Sequence, residues 1–83
     1  MNWLDTTDKH YGTGNANGRM AAKLQVNSKT ASVRNAPTGG YLLITADGVQ
    51  GKASDMYTIE VKGRETYATL NEAYAAGEAW CNS

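Results

Sequence analysis

Two side chains in this sequence have the chemistry of a catalytic pair, the single thiol of Cys81 and the single imidazole of His10. A histidine can take the proton of a nearby cysteine and so activate the sulfur as a nucleophile. We favour the simpler interpretation, in which Cys81 packs beneath a helix and His10 belongs to a loop. One cysteine and one histidine also fall short of the ligand set of a zinc site. We therefore predict a protein that is not an enzyme and binds no metal or cofactor.

A glycine-rich segment at residues 12–18 (GTGNANG) has the composition of a phosphate-binding loop. Loops of that kind follow a strand and lead into a helix N-terminus, whose amides bind the phosphate. Here a strand is predicted after the segment and none before it. Three glycines and two asparagines in seven positions instead favour turns and left-handed backbone. We interpret the segment as a turn-rich connection.

The basic residues are unevenly distributed along a chain of zero net charge. Every charged residue from position 9 to position 46 is basic, and six of the eight acids follow from Asp47 onward. A basic sheet face can contact phosphates or an acidic protein. Cations on strands also occur as ordinary solvated residues that prevent aggregation at sheet edges. The candidate partner-binding cations are Arg19, Lys23, Lys29 and Arg34.

Alternation of apolar and polar residues predicts an antiparallel sheet. Residues 19–26 alternate with a period of two, which is typical of a half-buried strand, and a turn at residues 27–29 leads to a partner strand at residues 30–34. Further strands are predicted at Tyr41–Thr45 and Met56–Lys62. Gly63-Arg64-Glu65 is interpreted as the turn that leads from the sheet to a helix.

The strand Tyr41–Thr45 is apolar on both faces, although one helix can cover only one face of a sheet. We expect the second face either to be covered by Trp3 and Leu4 of the N-terminal arm or to contact a partner or a second copy. Tyrosine carries apolar area with a polar end and is frequent at interfaces. Tyr41 is therefore the fifth candidate partner-binding residue.

A capping box begins the predicted helix. In Thr69-Leu70-Asn71-Glu72, Thr69 is expected to cap the helix and Glu72 to bond back to the cap amide. Small and apolar residues then recur at helical spacing on one face, which we expect to pack on the sheet. They are Leu70, Ala73, Tyr74, Gly77 and Cys81.

These elements predict a single α+β domain. An irregular arm at residues 1–18 precedes a small antiparallel sheet of three to four strands at residues 19–62, which packs against one C-terminal helix at residues 69–82. With 83 residues the core is thin, and we expect a free energy of unfolding of about 4–12 kcal/mol. The lone cysteine fits a reducing compartment, and the sequence contains neither a signal-peptide pattern nor an apolar run that could span a membrane. We expect a cytoplasmic protein.

Residues 65–73 (ETYATLNEA) resemble a recurrent ending of small phage and prophage proteins, in which a twisted antiparallel sheet runs into a Thr-Leu-x-Glu-Ala helix. Several anti-CRISPR and other anti-defence proteins are similar in size and arrangement. The resemblance covers the C-terminal part of the chain and carries over no functional residue. It implies a compact stoichiometric inhibitor that acts by occupying a surface.

Our leading hypothesis is a non-catalytic inhibitor, monomeric or homodimeric, that binds a host protein complex such as a CRISPR effector and blocks its engagement of nucleic acid. One alternative is a nucleic-acid-binding accessory protein that uses the basic sheet face. Another is a homo-oligomeric structural protein. We do not expect direct nucleic-acid binding, because few cations are available and the predicted helix adds acids.

Overall fold

A computed structural model describes residues 2–14, 18–48 and 60–83. In chain order its elements are β1 (Leu4–Asp5), α1 (Thr7–Tyr11), β2 (Ala21–Val26), β3 (Lys29–Asn35), β4 (Tyr41–Asp47), β5 (Glu60–Tyr67) and α2 (Leu70–Cys81). Each strand pairs antiparallel with the next, so the order in the sheet is the order in the chain. The α+β class and the sheet packed against a C-terminal helix are confirmed. The described residues form five strands, so the prediction of three to four is wrong.

The β2–β3 hairpin forms one of the two inner ladders of the sheet. Its strands pair from Ala21 opposite Arg34 to Val26 opposite Lys29, which leaves a two-residue turn at Asn27-Ser28. Asn27 adopts a φ of 55°, a left-handed conformation that asparagine tolerates better than most residues. Lys29 is therefore the first residue of β3 and does not belong to the turn.

The two faces of the sheet differ in what covers them. Directly paired residues share a face, and successive residues alternate between faces. One face, the helix face, packs against α2 and forms the core. The fully or almost fully buried residues of this core are Leu24, Ala31, Val33, Leu43, Ala73 and Cys81. We call the opposite side the open face.

Helix α2 begins and packs as the sequence predicts. The Thr69 hydroxyl accepts the Glu72 backbone N–H at 3.2 Å, and Glu72 Oε1 accepts the Thr69 backbone N–H at 3.1 Å, which completes the capping box. Ala73, Gly77 and Cys81 are buried against the sheet. The other two residues of the predicted face, Leu70 and Tyr74, are half-buried and pack against the core.

The N-terminal segment is ordered into elements, so the prediction of an irregular arm is wrong for β1 and α1. Leu4 pairs with Lys23, which adds β1 to the sheet edge. The Asp5 carboxylate accepts the Thr7 backbone N–H at 2.8 Å at the start of α1. Both elements are too short for hydrophobic periodicity to reveal them, and β1 depends on pairing with residues farther along the chain.

Trp3 docks on α2 and not on the open face. Its ring stacks on Tyr74 with centroids 4.4 Å apart, and its Nε1 donates to Glu78 Oε2 at 2.9 Å. Leu4 points to the opposite side and stays 66% exposed at the β1 edge. The expectation that Trp3 and Leu4 together cover the apolar second face of β4 is therefore wrong.

Strand β5 runs through the residues interpreted from sequence as a turn. Residues 56–59 of the predicted strand lie outside the described residues, whereas Gly63, Arg64 and Glu65 all pair with β4. Hydrogen bonding along β4 outweighs their turn propensity. Gly63 also suits a close approach, because a Cβ there would lie 3.2 Å from the Thr45 hydroxyl oxygen.

Candidate basic docking face

The open face carries an apolar centre among cations. Strand pairing aligns Lys23, Ser32, Ile44 and Arg64 in one row, and places Arg34 beside Leu42 in the next. Leu42 and Ile44 are half-buried, and Lys23 and Arg64 are exposed. Two predicted site residues, Lys23 and Arg34, thus meet on a single surface.

Helix α1 lies against one end of this surface. The Thr7 hydroxyl accepts the Ala21 backbone N–H at 3.1 Å and lies 3.3 Å from the Ala21 carbonyl oxygen, to which it donates. The Thr6 backbone N–H also donates to that carbonyl, at 2.8 Å. The bonds to β2 hold α1 so that His10 Nε2 lies 3.4 Å from an Arg34 guanidinium nitrogen.

The position of α1 creates a groove of about 250 Å³ between the helix and the β2–β3 ladder. Lys9 and His10 form one wall, and Lys23 and Arg34 contribute from the strands. On the other side of Arg34 a wider depression of about 730 Å³ extends past Tyr11 to Leu42. Arg34 therefore stands between two concave parts of the open face.

The concentration of positive charge affects the pKa of His10. Desolvation lowers the pKa of His10 below its ordinary value of 6.5, and the charges of Arg34 and Arg19 lower it further. The imidazole is consequently neutral at pH 7, and its Nε2 can accept a hydrogen bond from Arg34. An anion placed nearby would reverse this effect.

Arg19 borders the same region through an aromatic contact. Its guanidinium carbon lies 4.4 Å from the centroid of the Tyr11 ring, a cation–π distance. The His10 ring meets Tyr11 edge-on with centroids 4.5 Å apart. Arg19 thus lies beside α1, at the edge of the wider depression.

The remaining two predicted site residues lie on the helix face. Lys29 Nζ donates to the carbonyl and hydroxyl oxygens of Ser83, each at 2.7 Å, and lies 4.8 Å from the Trp80 ring centroid. Lys29 therefore supports the end of α2 and does not extend the basic surface. Tyr41 pairs with Tyr67, packs against the core and is half-buried.

Cys81 and His10 do not form a nucleophile–base pair. Cys81 is 4% exposed beneath α2, where its sulfur contacts the carbonyl oxygens of Leu24 at 3.9 Å and Lys29 at 3.8 Å. Burial raises the pKa of the Cys81 thiol, although the nearby Lys29 charge opposes the shift. His10 lies across the sheet, on the open face and in α1, not in a loop.

Three further possibilities considered from the sequence are a metal site, a phosphate-binding loop and a membrane span. Among the described residues no group of three or more His, Cys, Asp or Glu side chains is arranged to hold a metal ion. Residues 15–17 of the glycine-rich segment lie outside the described part. No helix in the described ranges has the length and hydropathy needed to cross a bilayer.

Sequence reasoning missed Lys9, His10 and Arg64 as members of the basic surface. The uninterrupted run of cations between residues 9 and 46 includes Lys9 and was the available signal. Arg64 was missed because it was assigned to a turn, and His10 because it was assigned to a loop.

Neither a protein-family model, nor a curated protein, nor a solved structure matches this chain.

Proposed function

We propose that this chain is a small non-catalytic inhibitor that docks through its open face onto an acidic surface of a host defence complex, such as a CRISPR effector, and blocks its engagement of nucleic acid. The observation that carries the proposal is the open face itself. Leu42 and Ile44 are half-buried there among Lys23, Arg34 and Arg64, with no helix of the described chain across them. An apolar centre with arginine nearby is typical of protein interfaces.

A protein partner fits this face better than a nucleic acid. Surfaces that bind single strands stack successive bases on aromatic rings. The strands of the open face contribute no aromatic side chain among the described residues, and the two rings beside it, His10 and Tyr11, pack edge-on against each other with Arg19 over the Tyr11 ring. The chain carries no net charge and therefore lacks the general attraction for phosphate that a strongly basic domain has. Its cations are few and alternate with apolar residues.

Self-association through this face is disfavoured. A symmetric dimer would bring Lys23, Arg34 and Arg64 of one copy against the same residues of the other. Like charges across an interface are repulsive, and no described acid of the open face offsets them. A foreign acidic surface satisfies the same cations without this cost.

The inhibitory step we propose is steric and electrostatic occlusion. With the open face docked, α2 and the helix side of β5 point outward. Glu65 and Glu72 are exposed on that side of the molecule. Their carboxylates would repel phosphates that approach the occupied region of the complex.

The test is a titration of purified CRISPR effector complexes with this protein, with binding of target DNA as the readout. We expect DNA binding to be lost at about one equivalent of protein per binding site, without consumption of the protein, since occlusion is stoichiometric. Undiminished DNA binding at a large molar excess across the tested complexes would contradict the proposal. Inhibition by a small fraction of an equivalent would indicate turnover and contradict the non-catalytic mechanism.

A further inference from the structure

Six of the nine residues that line the groove between α1 and the β2–β3 ladder carry side-chain hydrogen-bond donors, and the other three are Ala21, Ala22 and Val33. Side chains from α1, its N-cap, β2 and β3 converge there: Thr6, Lys9, His10, Lys23, Ser32 and Arg34. No described carboxylate lines the groove. Ammonium, guanidinium and hydroxyl groups together suit a negatively charged oxygen ligand, because each can donate to it.

The charges of the groove are not neutralised within the described molecule. Lys9, Lys23 and Arg34 form no ion pair with a described acid, whereas Lys62 on β5 pairs with Glu60. The described contact of the Arg34 guanidinium is with the His10 ring. Three cations on about 250 Å³ of space therefore have charge available for a ligand.

Apolar surface adjoins the groove directly. Ser32, in the groove wall, pairs with Ile44, and Arg34 pairs with Leu42. A ligand whose charged group lies between Lys23 and Arg34 can therefore place an apolar group on Leu42 or Ile44. An extended acidic peptide with apolar neighbours has this combination, whereas the phosphates of a nucleic-acid backbone adjoin sugars, which offer less apolar area than a leucine or isoleucine side chain.

We infer that this groove is a carboxylate-binding site that receives an Asp or Glu side chain from an acidic, apolar-flanked segment of the partner. The inference rests on the proposed function and specifies the group that the open face recognises. The bound carboxylate accepts hydrogen bonds from Arg34 and from the lysines, and the neighbouring apolar side chain packs on Leu42 and Ile44. Phosphate would engage the same donors without that packing.

His10 reports on occupancy of the groove. A carboxylate between Lys23 and Arg34 offsets the charges that depress the His10 pKa, so binding should raise that pKa. By linkage, affinity should increase as the pH falls through the pKa of the bound state. The charged or titratable residues around His10 are Arg34 on β3, Lys23 on β2, Arg19 before β2, and Asp8, Lys9 and Tyr11 on α1.

The experiment is an NMR titration of the full chain with a short synthetic peptide of alternating glutamate and leucine. A peptide of alternating glutamine and leucine, inorganic phosphate and a single-stranded oligonucleotide are the comparison probes. We expect the acidic peptide to shift the amides of Lys23, Ser32 and Arg34 and to raise the His10 pKa. Arg34→Gln should weaken peptide binding about tenfold, and Lys62→Gln should leave it unchanged. Matching melting curves would show that both variants are folded.

Three outcomes would overturn the inference. An oligonucleotide that binds more tightly than the acidic peptide would assign the groove to phosphate, and equal binding of the glutamine peptide would remove the role of the carboxylate. Inhibition of an effector without any peptide-dependent change at the groove would contradict this inference alone. Peptide binding at the groove without inhibition would preserve it and contradict the proposed function.

Discussion

Gly77 lies where α2 comes closest to the sheet and to the N-terminal segment. A Cβ at this position would lie 2.7 Å from Cη2 of Trp3 and 3.0 Å from the Ala31 Cβ. Ala31 is fully buried and the Trp3 ring is stacked on Tyr74, so neither neighbour can move freely. The glycine is thus required by packing, although its helical conformation suits any residue.

Gly77→Ala should therefore destabilise the domain. Overpacking costs about 1–3 kcal/mol. Alanine in place of glycine gains about 1 kcal/mol in helix propensity, so the overpacking cost is the larger of the two over most of its range. Urea unfolding measures the difference. The same substitution in a Trp3→Ala background should cost less, because the nearer of the two contacts is gone. A more stable Gly77→Ala protein would contradict the close approach.

Cys81 gives the domain a sensitivity to alkaline pH. Its thiol is buried and its pKa is raised above the ordinary value of 9.0, so the unfolded chain loses the proton at lower pH than the native protein does. The stabilisation is present below pH 9 and is lost as the pH rises through the native pKa. Cys81→Ala should flatten this decline above about pH 9. Parallel stability curves for the two proteins would show that the thiolate is not disfavoured by folding.

The capping box is the strongest local signal in the sequence, and it stabilises the whole of α2. Thr69→Ala removes the acceptor for the Glu72 backbone N–H and should lower the free energy of unfolding by about 1 kcal/mol. Thr69→Ser keeps the hydroxyl and is the matched control. Chemical denaturation of the two variants measures the difference, which would be absent if another group satisfied the helix terminus.

The elements that were predicted from the sequence have signals within one segment, whereas the elements that were missed depend on contacts between distant segments. The β2–β3 hairpin and α2 follow from alternation, helical spacing and a cap, all of which can be read within one segment. Strand β5 begins within the predicted strand Met56–Lys62, but from Gly63 onward it shows no apolar alternation, and pairing with β4 extends it to Tyr67. Helix α1 has five residues and depends on contacts with Ala21.

The candidate site was predictable in part for the same reason. Lys23 and Arg34 follow from strand alternation on either side of the hairpin. Lys29 was assigned to a three-residue turn, but the two-residue turn makes it the first residue of β3, on the side of Ala31. A shift of one residue along a strand thus moves a cation from one face of the sheet to the other. The contribution of His10 depends on the tertiary position of α1.

At the scale of the whole molecule, Trp3 joins the two ends of the chain. Its stacking on Tyr74 and hydrogen bond to Glu78 connect the segment before β1 to α2. Trp3→Ala should lower the free energy of unfolding by about 2–3 kcal/mol, less than for a fully buried tryptophan. Leu4→Ala, at a side chain that is 66% exposed, should change it by less than about 0.5 kcal/mol. If thermal or urea unfolding showed an equal loss of unfolding free energy for Trp3→Ala and Leu4→Ala, Trp3 would not anchor this segment.

The described molecule has a packed helix face and an open face, and we propose that it docks through the open face. Affinity for a CRISPR effector complex, compared between two charge-reversal variants, tests this proposal most directly. Lys23→Glu/Arg34→Glu should weaken binding about a hundredfold, because both charges oppose the acidic partner surface. Lys62→Glu, outside the groove, should bind within about twofold of the unaltered chain. Equal affinity of the double variant and the unaltered chain would contradict the assignment of the open face as the docking surface.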